Sequence, residues 1–218
     1  MGAQLSGRRA FQGISRGLRR TIAAMPNTHL LYLHGFRSSP RSAKAQLVAA
    51  HVAQHHPGVR LWCPQLPPSP RAAMALVAEG IAAWPHSRMA VIGSSLGGYY
   101  ASWVAQHARC ASVMLNPAVD PARDLARYIG EQTAWHDPEE RFFFRPEFID
   151  ELRQLDVRAQ PPAGRQLLVA AQGDELLDWR EMVARYPQAR QRVLPGGDHA
   201  LSDFPRLLDE VIAFCDLA

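Results

Sequence analysis

The chain has no apolar run long enough to cross a membrane as a helix. It is also poor in cysteine. Cys63, Cys110 and Cys215 are few, odd in number and widely spaced. That pattern argues against a disulfide framework and fits a reducing compartment, so the expected location is cytoplasmic. Each thiol reads as a small buried hydrophobe. Zinc-ligand spacing and RNA-binding signatures are missing, and no segment repeats. No metal or organic cofactor is implied. Acidic residues are missing from one stretch only. Positions 1–25 hold Arg8, Arg9, Arg16, Arg19 and Arg20 and no Asp or Glu. The formal net charge of +4 falls to −1 once those five arginines are set aside. The basic balance therefore belongs to the N-terminal stretch, and the remainder has no nucleic-acid footprint.

What is present describes one domain. With 218 residues, 47% hydrophobic and 20% charged, the chain can bury a sizeable core. Residues 1–25 lack the apolar centre of a secretory signal. They read as a basic, disordered extension, or as the product of a start codon placed ahead of Met25. An organelle-targeting peptide or a tether to an anionic surface are the other readings. Residues 26–218 form the domain. Short apolar runs recur at Leu30–Leu33, Val59–Cys63, Met89–Ile92, Ala111–Leu115, Gln166–Ala171 and Gln191–Leu194. Such runs suit buried parallel strands. Helical stretches alternate with them at 42–56, 71–84, 98–107, 179–186 and 204–216. The expectation is a mostly parallel sheet of about six strands with helices on both faces. Residues 118–165 break the alternation. Their aromatic residues, including Phe142, Phe143 and Phe144, suggest a lid-like insertion pinned to the domain or lining an acyl pocket.

The stretch with most chemistry in it is Gly93-Ser94-Ser95-Leu96-Gly97, a G-x-S-x-G between a strand and a helix. In that setting the serine sits at the apex of a strained turn, and its neighbours two before and two after must be small. A chain of this length holds the motif by chance at a frequency of roughly 0.05–0.1. The motif alone therefore leaves open a simple turn that binds an anion at a helix N-terminus. A serine hydroxyl needs a base, and the base needs an orienting acid. His199 follows the last strand, beside two glycines. Asp174 follows the strand before it. Glu175 and Asp178 share that loop and remain rivals for the acid, and Asp120 is a more distant one. The loop after the first strand, His34-Gly35-Phe36, stands where a backbone N–H could serve an oxyanion hole, or it is a plain loop with a structural histidine.

Together these stretches resemble the α/β-hydrolase fold, and within it the small bacterial YqiA/YcfP-like esterases. The resemblance is carried by Leu31-Tyr32-Leu33-His34-Gly35-Phe36 with Ser38-Ser39-Pro40-Arg41-Ser42, by Pro64-Gln65-Leu66-Pro67, and by Gly93 to Tyr100. Asn116-Pro117-Ala118-Val119, Gly173-Asp174-Glu175 and Gly197-Asp198-His199-Ala200 complete it. It implies Ser95 as nucleophile, Asp174 as acid and His199 as base. It also implies an oxyanion hole from the N–H groups of Phe36 and Leu96, with His34, Gly35 and Asn116 in the substrate pocket. The implied activity is hydrolysis of an ester or thioester of a small to medium acyl group, with a small-molecule substrate and no stable membrane insertion. Acyl transfer or amide hydrolysis at the same site, and a ligand-binding module without turnover, are the competing expectations.

Overall fold

A computed structural model describes residues 25–135, 137 and 139–218. The expected basic extension thus lies outside the described residues, Met25 apart. The elements are β1 (His29–Leu33), α1 (Ala43–His55), β2 (Arg60–Trp62), α2 (Pro70–Ile81), β3 (Met89–Ser94), α3 (Leu96–Ala108) and β4 (Ala111–Leu115). Then come α4 (Pro121–Asp124), β5 (Gly130–Thr133), β6 (Arg141–Phe144), α5 (Glu147–Gln154), β7 (Gln166–Ala171), α6 (Trp179–Arg185), β8 (Arg190–Leu194) and α7 (Leu208–Cys215).

Six strands form one parallel sheet in the order β2-β1-β3-β4-β7-β8. All six residues of β3 are buried, which is why this central strand reads as an unbroken apolar run. Side chains alternate between the two faces. Leu31, Leu33, Met89 and Val91 pack with α2, α3 and α5. Leu30, Tyr32, Ala90 and Ile92 pack with α1 and α7 on the other side. Met114, Leu168 and Ala170 meet Met182 and Tyr186 at α6. The chain runs outward from β1 to β2 and then returns across β1 to β3. The strand order therefore reverses between β1 and β3, and ligands of such sheets bind at the carboxyl ends of those strands. Among the described residues no helix is long and apolar enough to cross a membrane.

Several boundaries differ from the sequence reading. Pro70 opens α2 rather than ending the preceding loop. It sits at the first helical position, where its missing N–H costs nothing, and Ser69 caps the helix by accepting from the Ala72 N–H at 3.1 Å. The last helix is split: Phe204–Arg206 is a tight turn holding Pro205, and α7 begins only at Leu208. Residues 118–165 contain α4, an antiparallel pair β5–β6 and α5. They are fastened to the domain. Glu151 accepts from the Ser69 hydroxyl at 2.6 Å and the Arg71 N–H at 3.0 Å, and the Tyr99 hydroxyl donates to the Leu152 carbonyl at 2.6 Å. Of the three phenylalanines, Phe144 is buried in the core, Phe142 is partly covered and Phe143 is 53% exposed.

Candidate active site

Ser95 joins β3 to α3 with φ 57° and ψ −122°, a conformation that costs a non-glycine residue energy. Two close approaches enforce it. A Cβ on Gly93 would stand 2.0 Å from the Gly97 carbonyl oxygen, and one on Gly97 would stand 2.0 Å from that of Leu33. Only hydrogen fits at either place. The Ser95 N–H donates to the Leu115 carbonyl at 2.9 Å, and its own carbonyl accepts from Gly98 and Ala118 at 2.9 and 3.0 Å. These bonds hold the turn against its strain and leave the hydroxyl raised over the sheet edge.

The loops after β7 and β8 reach the same edge. His199 Nε2 lies 3.0 Å from Ser95 Oγ, and His199 Nδ1 lies 2.8 Å from Asp174 Oδ2. An ionised Asp174 accepts from Nδ1–H, which leaves Nε2 free to accept from the serine hydroxyl. The Asp174 side chain is wholly buried. Its other oxygen accepts from the Leu176 and Leu177 N–H groups at 2.9 Å each, so the carboxylate cannot turn away. The rival acids are occupied elsewhere. Glu175 accepts from the backbone N–H of His199 at 3.0 Å. Asp178 caps α6 and Asp120 caps α4. Asp198, next to His199 in sequence, bonds the hydroxyl and N–H of Ser202, contacts that pull its pKa below the ordinary carboxylate value.

Gly35 lies directly against the serine: a Cβ there would be 3.1 Å from Ser95 Cβ. The Phe36 ring is wedged among Tyr128, Phe142 and Phe144, at centroid separations of 5.6, 5.9 and 5.1 Å. Leu96 is the first residue of α3, so its N–H has no partner inside the helix. Among the described residues, neither the Phe36 nor the Leu96 N–H donates a hydrogen bond.

Of two expected pocket residues, His34 lines the cavity and Asn116 is not part of its wall. Asn116 is fully buried and does not face the cavity. Its amide donates to the carbonyls of Asp198 and His199 at 2.9 and 3.2 Å, and its oxygen accepts from the Ala171 N–H at 2.8 Å. It ties β4 and β7 to the histidine loop. An Asn-Pro at a strand end was the only signal for this. His34 lines the cavity, yet it is only 3% exposed and holds the loops together. Nε2 accepts from the Leu66 N–H at 3.1 Å, and Nδ1 donates to the Gly35 carbonyl at 3.0 Å. Sequence reasoning missed Lys44, whose ammonium enters the cavity and donates to the carbonyl of Ala200, beside His199.

The cavity over Ser95 and His199 encloses about 750 Å³, with walls from Phe36, Leu47, Leu125, Tyr128 and Leu177. A separate cleft of about 850 Å³ lies between α3 and α6, lined by Ser102, Arg158, Arg185 and Tyr186 among others. Cys110 and Cys215 are buried as the sequence suggests, whereas Cys63 is partly exposed. Burial pushes Cys63, Cys110 and Cys215 each up to about 12. They are neutral at physiological pH.

Known structures share this architecture. Est1E from Butyrivibrio proteoclasticus superposes with a TM-score of 0.68 at 18% identity, over 87% of this chain and 87% of that one. The esterase domain of a Rhodothermus marinus protein gives 0.63 at 20% identity, over 89% of both chains. Mouse alpha/beta hydrolase domain-containing protein 10 gives 0.62 at 15%, over 85% of this chain and 89% of that one. At these identities the likeness establishes the α/β-hydrolase fold. The family model described as "Uncharacterised protein family (UPF0227)" matches residues 29–216, nearly all of the described sheet and helices. The motifs pointed to YqiA/YcfP-like α/β-hydrolases, and the chain belongs to that family, UPF0227.

Proposed function

We propose that this protein is a serine hydrolase that cleaves carboxylic esters or thioesters of small to medium acyl groups through an acyl-enzyme. One observation carries the reading: an unbroken hydrogen-bonded chain from Asp174 through His199 to a serine held at a strained elbow. Strain at a single non-glycine residue persists only where its surroundings enforce it, and here it aims one hydroxyl at one imidazole. Several of the similar structures are named as esterases, which supports the same class.

In this reading His199 takes the Ser95 proton as Oγ attacks the substrate carbonyl carbon. The carbonyl oxygen gains charge and accepts from the N–H groups of Phe36 and Leu96, the second at a helix start where the dipole helps. Collapse of the tetrahedral intermediate breaks the bond to the leaving oxygen or sulfur, which takes the proton from His199. Water, losing a proton to His199, then attacks the acyl-enzyme, and Ser95 recovers its proton as the acid departs. Asp174 holds the imidazole in the tautomer both halves require. Residues 118–165 act as a cover, contributing Leu125 and Tyr128 to the cavity wall.

The test is labelling with a fluorophosphonate, located by intact mass and peptide mapping. A single adduct on Ser95, absent after Ser95→Ala, is the expected result. A panel of esters, thioesters and amides then fixes the bond cleaved. An unlabelled Ser95 in folded protein, with no ester or thioester turned over, would sink the proposal.

A further inference from the structure

The chain has 24 basic residues other than histidine, and Lys44 is its only lysine. Every other one is an arginine, so a lysine at this place calls for a reason in the chemistry of an ammonium. The side chain is partly exposed. It runs from the first turn of α1 into the cavity that holds Ser95 and His199. Burial draws its pKa below the ordinary lysine value, although the charges of Asp198 and Asp174 push it back up. Burial outweighs the pull of those two acids.

The bonding around it points the same way. An ammonium has three donors. The one hydrogen bond found for this one goes to the neutral carbonyl of Ala200. Every Asp and Glu of the chain lies within the described residues, and Lys44 pairs with none of them within 4.0 Å. The nearby acids are already served: Asp198 by Ser202, Asp174 by His199 and two N–H groups, and Glu175 by the His199 N–H. Arg37 and Arg127 also line the cavity, and neither forms an ion pair among the described residues. Asp124 and Glu175 are the acids of the wall, and Asp124 is held by Arg123 at 2.7 Å.

We propose that the substrate carries an anionic group, a carboxylate or a phosphate, in addition to its scissile ester or thioester, and that Lys44 Nζ receives it. This rests on the hydrolase reading given above. A half-buried ammonium with donors to spare is more selective for an anion than a fully exposed one, because less water competes with it. Lys44 is thus a specificity-determining residue, and the loop carbonyl of Ala200 keeps its head in place between turnovers.

The experiment compares kcat/KM for matched pairs. One pair is the 4-nitrophenyl half-ester of adipate against its methyl diester, which puts the charge on the acyl side. The other is the butyrate ester of 4-hydroxybenzoate against that of methyl 4-hydroxybenzoate, which puts it on the leaving side. The full chain is used, with Lys44→Met and Lys44→Arg beside it. The expected result is a preference of about tenfold or more for the anionic member of one pair, the scale of a charge-assisted contact. That ratio falls to about one in Lys44→Met, is largely kept in Lys44→Arg, and shrinks with added salt. The pair that shows it tells which side of the scissile bond bears the charge. Equal rates within both pairs for the unaltered protein overturn the proposal, as does a preference that survives Lys44→Met. The first of these outcomes is read on the unaltered chain and needs no active variant. If no ester is cleaved and fluorophosphonate leaves Ser95 untouched, the hydrolase reading fails, and this inference with it. Cleavage of neutral esters without anion preference defeats this inference alone.

Discussion

The cavity over Ser95 and the cleft between α3 and α6 hold about 750 and 850 Å³, and the larger of the two is the one without Ser95 and His199. The difference lies in what the backbone does at each. The first opens where β1 and β3 part, at the carboxyl ends of the strands. Three loops converge there, and a serine is forced to φ 57°. The second lies along a helix side and a loop, and several of its polar groups are spent on each other. Arg123 forks onto Glu181 at 3.0 and 2.7 Å, and the Ser102 and Tyr186 hydroxyls meet at 2.9 Å. Volume alone is a poor guide to chemistry. Strain, and groups left unpaired toward the cavity, are better ones.

That contrast can be broken by substitution. The largest effect should come from Ser95→Ala, which should lower kcat/KM for a simple ester by at least about 10⁴-fold while leaving the thermal transition within a few degrees. Asp174→Asn keeps the shape but favours the wrong imidazole tautomer. A loss of about 10³- to 10⁴-fold in kcat is expected, with KM little changed. Asn116→Ala acts one step further out. It strands the buried Ala171 N–H and frees the Asp198–His199 loop. We expect a cost of about 1–3 kcal/mol in urea unfolding and roughly a tenfold fall in kcat. In the other cleft, Arg185→Ala should leave ester hydrolysis within about twofold, as a substitution away from the site. A larger loss there would mean that the two cavities are coupled.

The strands were the most legible part of the sequence, for a physical reason. Buried on both faces, β3, β4 and β7 leave no room for polar residues, so their apolar runs mark them within a residue or two. The pair β5–β6 escaped notice because all but one of its residues are partly or fully exposed, and Arg141-Phe142-Phe143-Phe144 shows neither alternation nor a turn signal. The elbow could be read because Gly93 and Gly97 are required where a Cβ would stand 2.0 Å from a carbonyl oxygen. The spatial roles of Asn116 and Lys44 could not. Each acts on a loop more than 80 residues away, and no local pattern records such a partner.

The lone lysine also makes the chain its own gauge. An endoproteinase that cuts only after lysine has a single target, the Lys44–Ala45 bond in the first turn of α1, where Ala45 is packed in the core. Cutting requires that turn to open, so the rate of appearance of two fragments measures how often this wall of the cavity comes apart. A compound that settles in the cavity slows the cut, whether or not it is ever turned over. Ligands could thus be sought for this protein with a protease and a gel.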